Sequence, residues 1–586
     1  MMRMRVPLGA LVVVFGFVTA CSDDSGAGLS LDTPADEWST GEFEIEESDL
    51  YRYDGSRLYV QNAQTGLNIV DVADPTNPRL LGQASVVGKA GELYVRQTHA
   101  ILLLEEPTAA CQMITGCEKS DWQYGSELVF VGVADPQKPK VEQRYCLPGT
   151  LVNSRIVGDF LYVITNAPSQ GSQAISISLA NPALPQVVQQ MHFPQASKEI
   201  HVTTEAIFVA GDASVDPANC SLDTCDCDSY RCRPKALTDL QYIEISAATG
   251  QMIERGALKI SGKPQGRFHM SAFGQQFRIV TLETRNGVRA TRLSILNISD
   301  PDNLSVMGKV EDIGKGEALY ATRFTEDGRR AYVVTFRQTD PLWVIDLENP
   351  TSPKIVGELF VPGWSDYIFP RGDTLLTVGR GDGGRGLGIS LFDVSDPSSP
   401  RSLDQVTLGL WGTTSEANTD HRAVTIVEPP GKQPMVILPF ATYEYDSRGY
   451  NTCERVNRLQ LVDVNAASLR VRGMYEQQGF IRRTLMAGEV LMSISDYEIL
   501  SLDVSDRDAI TAHGNVVVGN QFSLSTVDEL DCHSYDESEW YWGGCFGGAL
   551  CQLEKGIAGR EPGVPVGPIV VLMLGVTYFI RRRPRT

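Results

Sequence analysis

The sequence has few histidines and little basic charge for its size. Only seven histidines occur in 586 residues, and acidic residues outnumber basic ones, which gives a formal net charge of −21. Nucleic-acid binding needs a basic surface, so this charge balance argues against a nucleic-acid partner. The excess of acidic groups mainly favours solubility.

The sequence also lacks the short motifs of common hydrolases and metalloenzymes. It contains no G-x-S-x-G and no H-E-x-x-H, and its histidines do not have the spacing of metal ligands. An acidic segment at 526–540 lacks the alternating carboxylates of a calcium loop. From these absences we predict no catalytic residue, no metal site and no cofactor.

A short phrase is repeated nine times along the chain: an apolar strand, then an acidic or polar residue, then a turn that usually contains proline. Its clearest copies begin at Leu67, Leu128, Leu342 and Ile389, as in LNIVDVADPTNP and LWVIDLENPTSP. The spacing between successive turns runs from 41 to 69 residues. A repeat of this period, made of strands, predicts a propeller or a solenoid.

The segment from Glu317 to Gly379 shows what one unit contains. EALYATRF, RAYVVTF, LWVIDL and KIVGELFV are predicted as four successive strands, with a hairpin turn at Glu326–Gly328. Four antiparallel strands per unit are typical of a propeller blade. The predicted fold class is therefore all-β, a single closed β-propeller of eight or nine four-stranded antiparallel blades over residues 47–519. The degenerate copy at Tyr242 leaves the count between eight and nine.

The same unit resembles the core of a bacterial and archaeal family of secreted β-propeller proteins. The resemblance is strong over about 65 residues, from Glu317 to Arg380, and looser elsewhere, and its marks are YATRF, AYVVTFRQTDPL, IDLENPTSPKIVGEL and PGWSDYIFP. The family usually has His-Pro after the tyrosine, where this chain has Ile368, Phe369 and Pro370. The resemblance implies the fold and export, but it implies no functional residues.

The N-terminus predicts export and a lipid anchor. Arg3 and Arg5 precede an apolar run at 6–18, which is typical of a secretory signal. The small residue before Cys21 resembles a bacterial lipoprotein signal, in which that cysteine is lipidated; a plain signal peptide is the alternative. We therefore predict a lipoprotein signal peptide at 1–20, an acidic disordered tether at 21–46, and lipid anchoring at the outer membrane or cell surface.

The C-terminus carries a second membrane signal. A cysteine-containing extension at 520–563 precedes an apolar tail at 564–586, which ends in RRRPRT. The apolar run is near the lower length limit for a membrane span, and the arginines behind it fit the positive-inside pattern. We predict a membrane anchor or a cleaved sorting tail.

The eleven cysteines after Cys21 are expected in an oxidising compartment, where disulfides persist. One bridge is predicted between Cys111 and Cys117, which are close in sequence. Two more are predicted within a cluster that could also hold zinc as four thiolates, although disulfides are favoured. The cluster consists of Cys220, Cys225, Cys227 and Cys232.

The predicted first strands of the units carry basic or imidazole side chains at similar places. Such positions lie on a common ring around a propeller axis, so a shared inward register would line the channel with positive charge and favour an anionic ligand. Coincidence within loosely chosen windows is the alternative. The candidate ring consists of Arg96, Arg155, His201, His269 and Arg323.

Two functional classes fit these observations. The favoured one is a surface-anchored binding scaffold, whose ligand could be a protein or an anionic carbohydrate and whose long loops, at Pro107–Gln123, Tyr443–Val456 and in the cysteine cluster, would share one face. The alternative is an extracellular hydrolase or lyase that acts on a polyanion in the channel. Its nearest acid–base candidates are Asp366 and His421, which nothing in the sequence brings together. The oligomeric state is left open.

Overall fold

Each repeat unit folds into a four-stranded antiparallel blade, and nine blades form a closed ring in the computed structural model of the protein. The structure describes residues 45–520 with internal gaps. The gaps are at 87, 90, 106–111, 114–124, 168–170, 214–224, 228–231, 286, 338–339, 362, 382–383, 429–431 and 446–450. The predicted β-propeller is confirmed, and the number of blades is nine.

Within each blade the strands follow chain order from the channel outwards. Blade 1 contains β2 (Tyr51–Tyr53), β3 (Arg57–Asn62), β4 (Gly66–Asp71) and β5 (Arg79–Ala84). Blade 2 contains β6 (Glu92–Arg96), β7 (His99–Leu104), β9 (Ser126–Gly132) and β10 (Lys140–Leu147). Blade 3 contains β11 (Thr150–Val157), β12 (Phe160–Ala167), β13 (Gly171–Ser178) and β14 (Gln186–Phe193). Blade 4 contains β15 (Ser197–Val202), β16 (Ala206–Asp212), β19 (Leu237–Ile245) and β20 (Met252–Ser261). Blade 5 contains β21 (Met270–Phe273), β22 (Gln276–Arg285), β23 (Val288–Asn297) and β24 (Ser305–Ile313). Blade 6 contains β25 (Ala318–Phe324), β26 (Arg330–Phe336), β27 (Asp340–Asp346) and β28 (Lys354–Val361). Blade 7 contains β29 (Trp364–Arg371), β30 (Thr374–Arg380), β31 (Leu387–Asp393) and β32 (Arg401–Leu408). Blade 8 contains β33 (Thr425–Val427), β34 (Met435–Tyr445), β35 (Asn451–Val464) and β36 (Leu469–Glu476). Blade 9 contains β37 (Ile481–Ala487), β38 (Val490–Ser495), β39 (Glu498–Asp503) and β40 (Thr511–Val517). The additional strands are β1 (Ile45–Glu47), β8 (Gln112–Met113), β17 (Cys225–Cys227) and β18 (Cys232–Pro234), and 3₁₀ helices lie at Arg267–His269, Glu416–Asn418 and His421–Ala423.

The antiparallel order gives the ring two different faces. The face where inner strands begin also carries every connection between second and third strands, and we call it the insertion face. The opposite face carries the tight hairpins and the proline-containing turns, and we call it the turn face. The long connections after β7, β16 and β34 all leave and re-enter the ring at the insertion face.

The repeated phrase forms the turn between the third and outer strands. In blade 7, Asp393 accepts a hydrogen bond from the amide of Ser395 at 2.9 Å, and Asp396 accepts one from the amide of Ser398 at 3.0 Å. Both carboxylates thus satisfy backbone groups that the strands leave unpaired. The acidic residues of the phrase are therefore turn-forming residues.

In several blades a glycine in the outer strand lets the turn of the next blade pack closely against it. A Cβ on Gly357 of blade 6 would clash with the carbonyl oxygen of Pro397 in blade 7, and one on Gly308 would clash with Pro350 in the same way. The pairing of a proline turn with a glycine of the neighbouring blade is thus a repeated contact between blades.

The core lies between blades and continues around the ring. One buried cluster joins blades 6 and 7, and another joins blades 1 and 9 through Leu58, Val60, Met492 and Ile494. No strand is exchanged between the first and last blades among the described residues, so side chains close the ring. The hydroxyl of Thr65, for example, donates to the carbonyl oxygen of Val518 at 2.6 Å.

Several sequence predictions fall on residues outside those described. They include Cys21, the tails, and the side chains of all six cysteines assigned to bridges. Cys146, at the end of β10, is disulfide-bonded, and its partner is a cysteine whose side chain is not described. Within the described part of the chain, no helix is long and apolar enough to span a membrane.

Candidate ligand site in the central channel

The chain enters the propeller through its own channel. Strand β1 pairs antiparallel with β11, the inner strand of blade 3, with Ile45 opposite Val157 and Glu47 opposite Arg155. It therefore runs from the turn face towards the insertion face, and the chain then reverses into β2. Blade 3 gains a fifth strand on its channel side.

Acidic side chains of this segment pair with arginines of several blades. Glu46 contacts Arg96 at 2.6 Å and Arg52 at 3.2 Å. Glu47 lies 3.3 Å from Arg155 and also pairs with Arg267. Burial alone would raise the pKa of Glu47, but Arg155, Arg267 and Arg422 together hold it well below its usual range.

The end of the segment meets a buried arginine of blade 9. Arg483 is only 1% exposed, and it donates to Asp49 at 2.8 Å, to Glu416 at 2.9 Å and to Asp420. Three carboxylates around one guanidinium compensate its desolvation. They also connect the N-terminal segment to blades 8 and 9.

A cavity of about 530 Å³ lies beside the N-terminal segment. Glu47 and residues of blades 2 to 8 form its wall, so it is part of the central channel. The lining residues that matter for its chemistry are Glu47, Glu92, Glu199, Arg267, Phe268, His269, Tyr320, Arg323, Asp366, Tyr367, Asn418, Asp420, His421 and Arg422.

Two irregular segments bring side chains into this cavity from outside the strand repeat. The 3₁₀ helix Arg267–His269 precedes the inner strand of blade 5, and the helices Glu416–Asn418 and His421–Ala423 precede that of blade 8. Asp420 caps the last helix by accepting from the amide of Arg422 at 3.0 Å. These segments interrupt the repeat on its channel side, so they are the strongest structural indication of a site.

Arg267 organises one side of the cavity. Its guanidinium pairs with Glu47, lies 4.6 Å from the ring centre of Phe268, and donates to Nε2 of His421 at 2.8 Å. Because a guanidinium only donates, Nε2 is the acceptor and Nδ1 of His421 carries the hydrogen. Burial and the charge of Arg267 keep the pKa of His421 well below its usual value, so the imidazole is neutral.

The pKa values of two carboxylates in the cavity are raised by their surroundings. Burial raises the pKa of Glu199 to about 7, and the charge of Arg267 opposes this only partly. Burial likewise raises the pKa of Asp366 to about 6, although Asn418 donates to it at 2.9 Å. Groups with pKa values near neutrality can exchange protons with a ligand.

The structure brings only part of the predicted basic ring to the cavity. His269 and Arg323 line it. His269 contacts the hydroxyl of Thr322 at 2.7 Å, and burial lowers its pKa to about 3. Arg323 lies 5.2 Å from the ring centre of Phe268.

The other three predicted residues have structural partners. Arg96 and Arg155 pair with the acidic N-terminal segment. His201 is buried between blades 4 and 5, where its Nε2 accepts from the amide of Ala272 at 3.1 Å. The positive charge of the two arginines is therefore balanced within the chain, and His201 bonds to the backbone between blades.

Sequence reasoning missed Glu199, Arg267 and Phe268, but Asp366 and His421, which it named separately, line the same cavity. One signal for the missed residues was available. The connections before blades 5 and 8 are longer than most, and both contain polar residues where the repeat predicts only a short link. Among the described residues, no group of three or more His, Cys, Asp or Glu side chains could hold a metal ion.

Part of the chain is similar to several solved structures. The periplasmic gluconolactonase of Pseudomonas aeruginosa is 11% identical, with a TM-score of 0.32, and the match covers 61% of this chain and 94% of that one. Hsv2p of Kluyveromyces lactis is 12% identical, with a TM-score of 0.33, and the match covers 62% of this chain and 99% of that one.

Two archaeal proteins are similar in sequence. An uncharacterized protein of Methanocaldococcus jannaschii is 36% identical over 208 residues, 35% of this chain and 32% of the relative. One of Archaeoglobus fulgidus is 35% identical over 190 residues, 32% of this chain and 29% of the relative. The chain spans about a third of the length of these curated relatives. The model of the beta propeller domain family matches residues 40–195 and 175–507, most of the chain, and the protein belongs to that family.

Proposed function

We propose that the protein is a propeller anchored at the cell envelope that binds a small polar ligand in its channel cavity. The observation that carries this proposal is the convergence of irregular segments from blades 5 and 8 on one cavity of about 530 Å³. Ligand sites are typically concave, with aromatic walls and a few converging polar groups. Phe268, Tyr320 and Tyr367 supply the aromatic walls here, and Glu199 and Asp366 supply polar groups.

The direction of β1 supports a particular orientation of the anchored molecule. Ile45 lies at the turn-face end of the channel, because it pairs with the last residue of β11. A tether that joins Ile45 to a lipid on Cys21 would reach the propeller from its turn face. The insertion face, with its long connections, would then point away from the membrane towards ligands or partners.

A cavity-filling substitution tests the ligand site. A Cβ on Gly266 would lie 3.7 Å from the His269 ring, an ordinary contact, so Gly266→Ala should leave the fold and the cavity intact. Gly266→Trp should occupy the cavity. We expect Gly266→Trp, and not Gly266→Ala, to abolish binding of ligands found by thermal-shift screening of monosaccharides, uronic acids, amino acids and simple amines.

Two outcomes of this screen would contradict the ligand site. One is that no compound binds. The other is that ligands bind Gly266→Trp as tightly as the wild type. Uronic acids represent the anionic carbohydrate ligand that the basic inner-strand residues predicted.

Hydrolase or lyase activity on a polyanion is the second candidate. It is favoured by one observation: Asp366, Tyr367 and His421 line the same cavity, with the Tyr367 and His421 ring centres 5.9 Å apart. A carboxyl with a pKa near 6 is suited to proton transfer at neutral pH. Release of reducing or unsaturated ends from polyuronate chains should then require Asp366, and activity that survives Asp366→Asn would contradict this assignment.

A further inference from the structure

We infer that the ligand of the channel cavity carries an organic cation, an ammonium or guanidinium group, which the carboxylates of Glu199 and Asp366 hold. This inference rests on the proposed ligand-binding function and specifies its ligand class. It reverses the ligand charge that the inner-strand arginines suggest, because the structure shows which charges in the cavity are already balanced.

Acidic groups outnumber basic ones in the cavity wall. Among the described residues that line it, five are carboxylates and three are arginines, while the two histidines are held neutral. The carboxylates are Glu47, Glu92, Glu199, Asp366 and Asp420, and the arginines are Arg267, Arg323 and Arg422. The wall therefore holds more carboxyl groups than guanidinium groups, and burial raises the pKa values of Glu92, Glu199 and Asp366 so that a cationic ligand would favour their ionised forms.

Many hydrogen-bond donors of the arginines in this wall already bind acceptors within the chain. Arg267 donates to Glu47 and His421. Arg422 donates to Asp420 at 2.8 Å and to the carbonyl oxygen of Ser48 at 2.5 Å. A ligand that needs donors would compete with these internal bonds.

Two carboxylates of the cavity wall retain capacity to accept hydrogen bonds. The side chain of Glu199 makes no hydrogen bond or ion pair with any residue that the structure describes, and Asp366 has no salt bridge there, although Asn418 and Trp364 donate to it and the charge of Arg380 acts on it. Ionising these partly buried carboxylates is unfavourable, because the charges of Arg267 and Arg380 offset their desolvation only in part. A cationic ligand would supply the missing positive charge.

The surroundings favour an organic cation. No metal-binding group occurs among the described residues. Tyr320 and Tyr367 line the cavity, and aromatic faces attract ammonium and guanidinium groups when water is excluded. The net charge of −21 would also increase the local concentration of cations around the protein.

Paired probes test the charge of the ligand. Benzamidine and benzamide have nearly the same shape, but only benzamidine is a cation, and benzoate is the matching anion. Titration calorimetry should show benzamidine binding at least about tenfold more tightly than either analogue, since the carboxylates of Glu199 and Asp366 are its partners. Glu199→Gln and Asp366→Asn, both isosteric, should each weaken benzamidine by a similar factor, and Gly266→Trp should abolish its binding.

A second comparison identifies the source of the cation. A free amine would bind as benzamidine does, whereas a basic side chain of a partner protein should be mimicked by acetyl-Gly-Arg-Gly-amide and not by acetyl-Gly-Gln-Gly-amide. Preference for the peptide assigns the cavity to a protein partner. Preference for benzamidine assigns it to a small metabolite.

Several results would overturn the inference. They are no benzamidine or arginine-peptide binding at millimolar concentration, equal binding of benzamide, or benzamidine affinity unchanged in both carboxylate variants. If uronic acids or neutral sugars bind, Gly266→Trp abolishes their binding and no cation binds, the proposed ligand site is supported. The inference that its ligand is a cation is then wrong. Binding of cations that is indifferent to Gly266→Trp contradicts both proposals.

Discussion

Glu199 shows how a single residue can set the response of this protein to pH. Its pKa in the folded protein is about 7, above the ordinary value of 4.5, so the folded state holds its proton more tightly than the unfolded state does. The resulting stabilisation is complete below pH 4.5 and is lost as the pH rises towards 7. The ionised carboxylate of the folded protein is thus the less stable form until a cation reaches it.

We therefore expect Glu199→Gln to melt at a higher temperature than the wild type at about pH 8 and at nearly the same temperature near pH 4.5. Because glutamine cannot ionise, the variant does not lose this stabilisation as the pH rises. Differential scanning fluorimetry across this range measures the difference. Glu348→Gln, at an exposed turn, is the control and should follow the wild type throughout. A constant offset at every pH would contradict the assignment to Glu199.

Strand β1 is an element whose contribution differs from one residue to the next. Glu47 pairs with Arg155, whose side chain is 5% exposed, while Glu46 pairs with Arg96, whose side chain is 38% exposed. Removing one member of a buried pair leaves a desolvated charge behind, whereas exposed pairs contribute little. Neighbouring glutamates of one strand thus have different energetic roles.

We expect Glu47→Gln to lower the free energy of unfolding by about 3 kcal/mol, because Arg155 and Arg267 lose their buried partner. Glu46→Gln should cost less than about 1 kcal/mol. Urea unfolding of both variants, followed by tryptophan fluorescence, measures this difference. Equal losses would show that burial of the pair does not decide its contribution.

The outer strands provide a matched pair of glycines. A Cβ on Gly357 would meet the carbonyl oxygen of Pro397, whereas one on Gly514, the equivalent position in blade 9, would lie 3.5 Å from the carbonyl oxygen of Thr76. Gly357→Ala should therefore destabilise by about 1–3 kcal/mol through overpacking. Gly514→Ala should change stability by less than about 0.5 kcal/mol. Thermal unfolding that ranks the two variants in the reverse order would refute this contact as the reason for the glycine.

The sequence allowed the blades to be predicted well and the cavity poorly, for a physical reason. The DPxxP turns and the apolar strands depend on local bonding and burial, which repeat in every unit, so Glu317–Gly379 showed the whole blade. The cavity depends on Arg267 and His421, which lie 154 residues apart and meet only when the ring closes. Arg155 was correctly placed on an inner strand, but its partner Glu47 lies in a segment predicted to border an acidic tether.

At the scale of the whole molecule, lipidation of Cys21 stays a prediction with a direct test. Metabolic labelling with a palmitate analogue should mark the wild type and be lost in Cys21→Ala, because no other residue of the signal can receive the lipid. Ser22→Asp should keep the label, since it alters only the residue after the modified cysteine. Label that persists in Cys21→Ala would exclude a lipoprotein.

The N-terminal strand also determines how the protein would bear mechanical force. If Cys21 is fixed in a membrane, any pull on a ligand or partner held at the insertion face is transmitted through Ile45 and along the axis of β1. The hydrogen bonds between β1 and β11 lie across that axis, so the load shears them together instead of opening them one by one. The ion pairs of Glu47 and Asp49 resist the same sliding motion. The propeller is thus connected to its anchor by a strand inside its own channel that is loaded in shear. Extraction of β1 would be the first event under tension.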